Sequence, residues 1–442
     1  MKTNKTIHKI LGIAVLMAMA STVAQAEDLS QFIAASKIDG QIRSYYFNRE
    51  YGAPSLSTQK AFSVAGLLNL QTAPFWGGYG VGASFYTASG LGLNNMNSAN
   101  LDSTLMGSRQ SINALGQMYL QYEMPKKFLI RGGDQIINTP WMNSSDSRVL
   151  PATYEGFYAQ GTPVTNWNIY GARIYRWKSR TSSNYFRDNL YYPATYNGDT
   201  MYGGGSAPNN SLFPQTNGAL ALGTSYALMG AKAQLWYYNY YQFTKMYYGD
   251  LNYTFKTVSG LDPFIGAQYV REKDGNSLLG NVDASAHGLI GGVNYVNRYG
   301  KGNASLAYNA INAQGNNVYG HGAIVSPYTV SYATDPLYTT SMIRGLVELG
   351  PGHAWKVKLT QNFLNSRVLV MAAFARYNTY YNGSSNDTYL DVTYNFQGRF
   401  KGLSLRDREE VAAGGSPTFN NGAGGNTGHY FSYNRVMLTY AF

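Results

Sequence analysis

The chain has 442 residues, a formal charge of +11, 13% charged residues, 40 tyrosines, 49 glycines and no cysteine. That is about half the charge density of an ordinary soluble domain, and the missing cysteine excludes thiolate chemistry and disulfide frameworks. After the N-terminus no apolar run reaches the ~20 residues of a membrane helix.

The first 26 residues read as a secretory signal: Lys2, Lys5 and Lys9, an apolar Ile10 to Ala20, then Ala24-Gln25-Ala26 as a small-residue cleavage site. Residues 27–442 are then one exported unit. Removing the signal takes three of the 34 basic residues and leaves a balance of +8 against 23 acids. In an exported protein that excess suits attraction of anions into a lumen and is not expected to serve nucleic acid.

From Lys37 to Phe442 side-chain polarity alternates with period two, the signature of strands with two unlike faces. Arg43 shares a face with Asp39, Gln41 and Tyr45. Tyr45-Tyr46-Phe47 and, later, Trp236-Tyr237-Tyr238 are expected at membrane interfaces as aromatic girdles. Arg131 lies with Leu129, Gly133 and Gln135, opposite Phe128 and Ile130. Lys356 and Lys358 oppose Trp355, Val357 and Leu359. In Tyr389 to Phe396, Leu390, Val392, Tyr394 and Phe396 alternate with Asp391, Thr393 and Asn395. Arg406 and Arg408 share a face with Ser404 and Glu410. Arg435 opposes the apolar row Val436, Leu438, Tyr440 and Phe442. Segments of about ten residues match tilted membrane strands, and a terminal aromatic strand resembles the signal read by the barrel-assembly machinery.

Connections alternate in length. Pro125-Lys126-Lys127, Pro163 to Asn166 and Gln397 to Gly402 are short and expected in the periplasm. Ala88 to Arg109, Ser179 to Gln215 and Ala313 to His353 are long and expected outside. Gly203 to Asn210 and Gly414 to Gly428 read as mobile loops. The count predicts an all-β fold, a transmembrane antiparallel β-barrel of about 18 strands, with 16 as the alternative.

A lipid-facing Arg or Lys at mid-membrane costs about 2–4 kcal/mol, so parity assigns Arg43, Arg131, Lys356, Lys358, Arg406, Arg408 and Arg435 to the lumen. Closure of the barrel brings Arg43, Arg406, Arg408 and Arg435 onto neighbouring staves. The competing reading is that these cations only brace the wall against acids such as Asp391 and Glu410. Asp407 falls on the outward face, where a membrane boundary or an inward-turning bulge would account for it. The remaining histidines, His287, His321, His353 and His429, lack metal-ligand spacing, and no cofactor is indicated.

Several separated segments resemble the OprD family of outer-membrane porins: Ile42 to Asn48-Arg49, Arg131-Gly132-Gly133-Asp134-Gln135 with Asn138-Thr139-Pro140, Ser147 to Pro151 with Tyr154-Glu155-Gly156, and Leu403 to Arg408 with the strand around Arg435. The resemblance implies 18 strands, an inward-folded third loop and a ladder of basic side chains. It also implies passage of small carboxylate-bearing nutrients across the outer membrane of a Gram-negative cell. Asp146, Arg148 and Glu155 are then candidates in or beside the constriction loop, where they either set up a transverse field or simply stabilise a turn. Two alternatives remain: a structural or adhesive barrel with a closed pore, and an outer-membrane hydrolase, for which no Ser-His or Asp-His pair stands out.

Overall fold

The structure, a computed structural model, describes residues 34–442 apart from 96, 98, 108–109, 192–214 and 416–428. The expected signal segment and the glycine-rich tracts within 192–214 and 416–428 therefore lie outside the described residues.

Eighteen antiparallel strands close into one barrel. The first nine are β1 Lys37–Tyr51, β2 Gln59–Gln71, β3 Tyr79–Ser89, β4 Ser111–Met124, β5 Phe128–Gln135, β6 Thr153–Val164, β7 Trp167–Lys178, β8 Ala219–Leu228 and β9 Ala231–Tyr240. The second nine are β10 Thr244–Thr254, β11 Leu261–Ser277, β12 Gly280–Asn297, β13 Gly300–Ile311, β14 Gly352–Phe363, β15 Val368–Thr379, β16 Gly383–Asn395, β17 Leu403–Gly414 and β18 Phe431–Ala441. Each strand pairs with its chain neighbours, and β1 pairs with β18 in a register that sets Arg43 opposite Thr439 and Phe47 opposite Arg435. Closure leaves no sheet edge, so the ladder satisfies the backbone without water or disulfides.

Long and short connections alternate around the barrel. The long ones used below are L2 (90–110), L3 (136–152), L4 (179–218) and L7 (312–351), all at one end. The short turns at the other end carry the backbone that tight reversal demands: Lys126 and Asn166 both have positive φ.

The outward face is apolar. Leu235, Leu251, Ile265, Leu289, Leu306, Val357 and Leu438 are exposed there, while their chain neighbours face in. Leu235→Arg should therefore cost about 2–4 kcal/mol, read as a lower midpoint for urea unfolding from lipid vesicles. An unchanged midpoint would place Leu235 away from lipid.

The inner face is not polar throughout. In the outer half it is aromatic and packs against loops folded into the barrel. One apolar cluster joins Ile137, Trp141 and Met142 of L3, Leu190 and Tyr191 of L4, and Ile324, Val325, Tyr328 and Leu346 of L7 to the wall residues Trp177, Tyr238 and Tyr240. A second joins Leu101, Leu105 and Met106 of L2, Val149 and Leu150 of L3, and Met342 and Ile343 of L7 to Tyr45, Phe47, Phe431 and Tyr433. Each large apolar side chain so buried stabilises by about 1.5–3 kcal/mol, so these loops are packed elements rather than flaps.

The expected girdles are corrected by the same packing. Tyr45 and Phe47 are buried inside and Tyr46 alone of the three faces out; Trp236 and Tyr238 are inside and Tyr237 faces out. Strand parity sends neighbours to opposite faces, so three consecutive aromatics never share an interface. Asp407 is settled too. Its register with Val392 and Val436 is unbroken. With no bulge it stays outward, accepting a 2.9 Å hydrogen bond from Asn434 Nδ2.

Candidate constriction and basic wall

L3 is fixed inside the barrel before any charge is considered. Trp141 is fully buried; its N–H donates to Tyr238 Oη at 3.3 Å, and its carbonyl accepts from Tyr240 Oη at 2.9 Å. Tyr154 Oη donates to the Asn143 carbonyl, and Asn143 Nδ2 donates to the Thr334 carbonyl of L7 at 3.0 Å. L3 and L7 thus meet across the lumen.

The L3 tip then reaches the wall. Asp146 accepts a two-pronged contact from Arg43 Nη1 and Nη2 at 2.6 and 2.8 Å. Arg43 Nη1 also donates to the carbonyls of Arg148 and Val149, both at 3.2 Å. The Asp146 side chain is 41% exposed and that of Arg43 5%, so the solvated side of the pair is the carboxylate. Arg148 is buried in L3, donates Nε to the Thr104 carbonyl of L2 at 3.2 Å, and lies near the Phe47 and Tyr433 rings.

Arg43, Arg406, Arg408 and Arg435 do lie on adjoining staves β1, β17 and β18, with Arg408 paired directly to Arg435. Their surroundings separate them. Arg406 binds Asp391 through Nε at 2.8 Å and keeps 39% of its side chain exposed. Arg408 contacts Asp391 at 3.2 Å and donates to Tyr389 Oη at 3.0 and 2.7 Å. Arg435 is sealed behind L3: its guanidinium has no hydrogen-bond partner among the described residues. It rests 4.2 Å from the Tyr433 ring centroid and 5.3 Å from that of Phe47. Such a contact is worth roughly 2 kcal/mol when desolvated.

Lys356 and Lys358 project inward from β14. Lys356 Nζ donates to the Thr340 carbonyl of L7 at 2.6 Å. Lys358 is half-buried. Arg131, on β5, is not part of this group. It donates to Gln121 Oε1 at 3.0 Å and stacks on Tyr119 in a polar recess of about 430 Å³ that also contains Asp39, Asn69, Gln117 and Gln160. A second recess of about 510 Å³ toward the short-turn end is lined by Asn168, Gln234, Asp250, Asn252, Asn294 and Asn303. Glu155 stands beside L3 rather than in it: it belongs to β6, on the parity opposite buried Tyr154, and pairs with Arg176 of β7.

Two buried ion pairs escaped sequence reasoning. Arg49 Nε lies 3.2 Å from Asp102 Oδ2 of L2, both side chains fully buried. Burial pushes the Asp102 carboxyl up, but Arg49, Thr104 and Tyr433 outweigh it and hold it below the usual carboxylate range. Arg344 of L7 binds Asp387 of β16 through Nη2 at 2.5 Å. Arg49 shares the inward face of Arg43, the one signal that could have found it; its partner in a distant loop leaves no local signal.

Among the described residues no group of three or more His, Asp or Glu could hold a metal ion. What the arrangement offers is a lumen narrowed by loops, with a partly exposed cation on one wall, a loop carboxylate held against that wall by Arg43, and amide-lined recesses beyond. Selection of a small charged solute needs no bond making, only charges that attract without trapping.

Comparison with known proteins agrees with this geometry. No curated relative matches the chain. Among solved structures, OccK9 (OpdG) of Pseudomonas aeruginosa superposes with a TM-score of 0.74 at 16% identity, covering 93% of this chain and 99% of its own. OccAB3 of Acinetobacter baumannii gives 0.73 at 17% identity, with 92% and 99% covered. Pseudomonas aeruginosa OpdK, determined with vanillate, gives 0.69 at 15% identity, with 93% and 99% covered. At such identities the likeness shows the fold. The sequence itself matches a family of outer membrane porins over residues 30–343, most of its length. An 18-stranded barrel, a loop drawn into its lumen and that match together show that the chain belongs to the OprD family of outer membrane porins.

Proposed function

We propose that this porin passes small solutes bearing a carboxylate, guided along Arg406, Arg408, Lys356 and Lys358 toward the Arg43–Asp146 contact. The observation that carries the reading is Arg406. Its guanidinium is oriented by Asp391 yet 39% exposed, so a solute carboxylate can share it without displacing a buried pair. Arg408 and Lys356 stand behind it as more deeply buried charge. Asp146, held beside them by Arg43 and 41% exposed, favours solutes that also carry a positive group. Arg131 acts later, as the cation of the polar recess. The structure of OpdK was determined with vanillate, a carboxylate, which is in keeping with this chemistry.

Single-channel recording in planar bilayers tests it. Anion-favouring steps blocked by benzoate are expected. Arg406→Ala should weaken the block about fivefold, the ~1 kcal/mol appropriate to a partly exposed ionic contact, while Arg408→Ala should weaken it less. Steps indifferent to carboxylates would discard the solute class and leave the channel.

A second reading, a barrel closed at rest, is favoured by the apolar packing of L2, L3, L4 and L7 through the outer half of the lumen. It predicts a folded protein that never conducts until L7 is loosened.

A further inference from the structure

On the lipid-facing side of β9–β12, well away from the lumen, cations gather above an apolar groove. Lys245 of β10 and Lys273 of β11 are direct cross-strand partners with exposed side chains. Arg271 lies two residues below Lys273 on the same face. Like charges set directly opposite destabilise a sheet pair, so the strands carry a cost here that an external anion would offset. Part of that cost is met within the protein: Asp283 of β12, the described carboxylate on this face, stands directly opposite Lys273 and contacts Arg271 Nη1 at 2.5 Å. That leaves two positive charges in excess.

Just below the cations the rings of the outward aromatics Tyr237 and Tyr247 meet at a tilt of 45°, centroids 5.1 Å apart, and Tyr269 stands beside them. These are the side chains that mark a membrane interface. Below them again, a groove of about 520 Å³ is lined by Leu251, Ile265, Ala267, Leu289, Leu306 and Tyr308. It exists because Gly291 has no side chain to fill it; a Cβ there would meet nothing closer than a carbonyl at 3.9 Å. Ala267 at the groove and Arg271 at the patch are four residues apart on β11, about 13 Å along the strand.

We infer that this face binds a phosphorylated glycolipid of the outer leaflet, its phosphate held by Lys245, Arg271 and Lys273 and one acyl chain lying in the groove. The end of the barrel decides the source. The cations sit at the end that carries the long loops, the outward one in such barrels, where the leaflet's lipids present phosphate. Cations at a headgroup level contribute roughly equally when close to the surface.

The test uses the full-length barrel in detergent, with bis-phosphorylated lipid A as the probe and native mass spectrometry as the readout. Lys245→Gln and Lys273→Gln should each weaken lipid A retention about fivefold, and Lys273→Arg should retain it. Gly291→Leu should weaken retention by filling the groove, with the salt dependence unchanged. Heat-shifted migration on gels checks that every variant is folded. Wild-type retention in the Lys245→Gln/Lys273→Gln double variant overturns the proposal. Full competition by millimolar inorganic phosphate, with Gly291→Leu binding like wild type, overturns the lipid assignment.

Discussion

Asp387→Ala should convert a quiet pore into a larger and noisier one. Asp387 accepts from Arg344 through both oxygens, with Nε at 3.0 and 3.1 Å, and the two side chains are 0% and 1% exposed. Removing one partner of a buried pair costs about 3–5 kcal/mol, because the other charge is left desolvated. The cost falls on L7. The β16 backbone keeps its ladder to Ala375 and Ala412 whatever side chain stands at 387. L7 should therefore leave the lumen part of the time, seen as higher conductance and as cleavage by protease added from outside. Arg344→Met with Asp387→Leu should restore the quiet state, since an apolar pair of similar volume carries no stranded charge. Unchanged conductance and protease resistance in Asp387→Ala would show that the pair does not hold the loop.

Packing of L7 should also weaken as pH rises. Glu348 is buried in the helical turn Leu346–Leu349, its Oε2 accepting the Gly345 N–H at 2.7 Å. Asp335 is buried nearby, accepting from Leu337 N–H at 3.1 Å and Thr340 Oγ1 at 2.8 Å. Burial pushes the Asp335 carboxyl up to about 6. Burial, then the Asp335 charge, pushes Glu348 up to about 8. Lys356 of β14 is the cation facing Asp335 and limits its rise.

Below about pH 4 both groups are protonated in the packed and the solvated loop, and there is no difference. Above that the solvated loop loses protons that the packed loop keeps, so the packed form binds more and loses stability with rising pH. The loss develops between about pH 4 and 8 and reaches several kcal/mol at most. Conductance noise and protease access at L7 should rise across that window, and Glu348→Gln should flatten the upper part. A flat wild-type profile from pH 5 to 9 would show that neither carboxyl changes charge in the packed loop.

Much of this was legible from alternation alone. Leu405, Arg406, Asp407 and Arg408 stand on the faces that parity assigns them, because a strand without a bulge has no other choice. The loop boundaries were readable too: the long segments beginning near Ala88, Ser179 and Ala313 match L2, L4 and L7 to within a few residues. Alternation is blind, however, to what an inward side chain meets. Tyr45 and Phe47 pack L2 and L3, which come from far along the chain, so nothing local distinguishes them from lipid-facing aromatics. The same blindness hid Asp102 as the partner of Arg49 and Asp387 as the partner of Arg344. Even the arginine set, adjacent by closure, divides into solvated Arg406 and sealed Arg435 on loop packing that no strand pattern contains. Arg406 is braced by Asp391, as the competing reading expected, and still keeps 39% of its side chain exposed.

The sealing of Arg435 has a consequence for ionic strength. Mobile ions weaken a charge by gathering round it, over a distance of about 8 Å at physiological salt. Around Arg406 they can gather. Around Arg435, closed off by L3 and the Phe47 and Tyr433 rings, they cannot. The wall therefore carries one potential that fades in concentrated electrolyte and another that persists, so the anion preference proposed above should survive in part in brine.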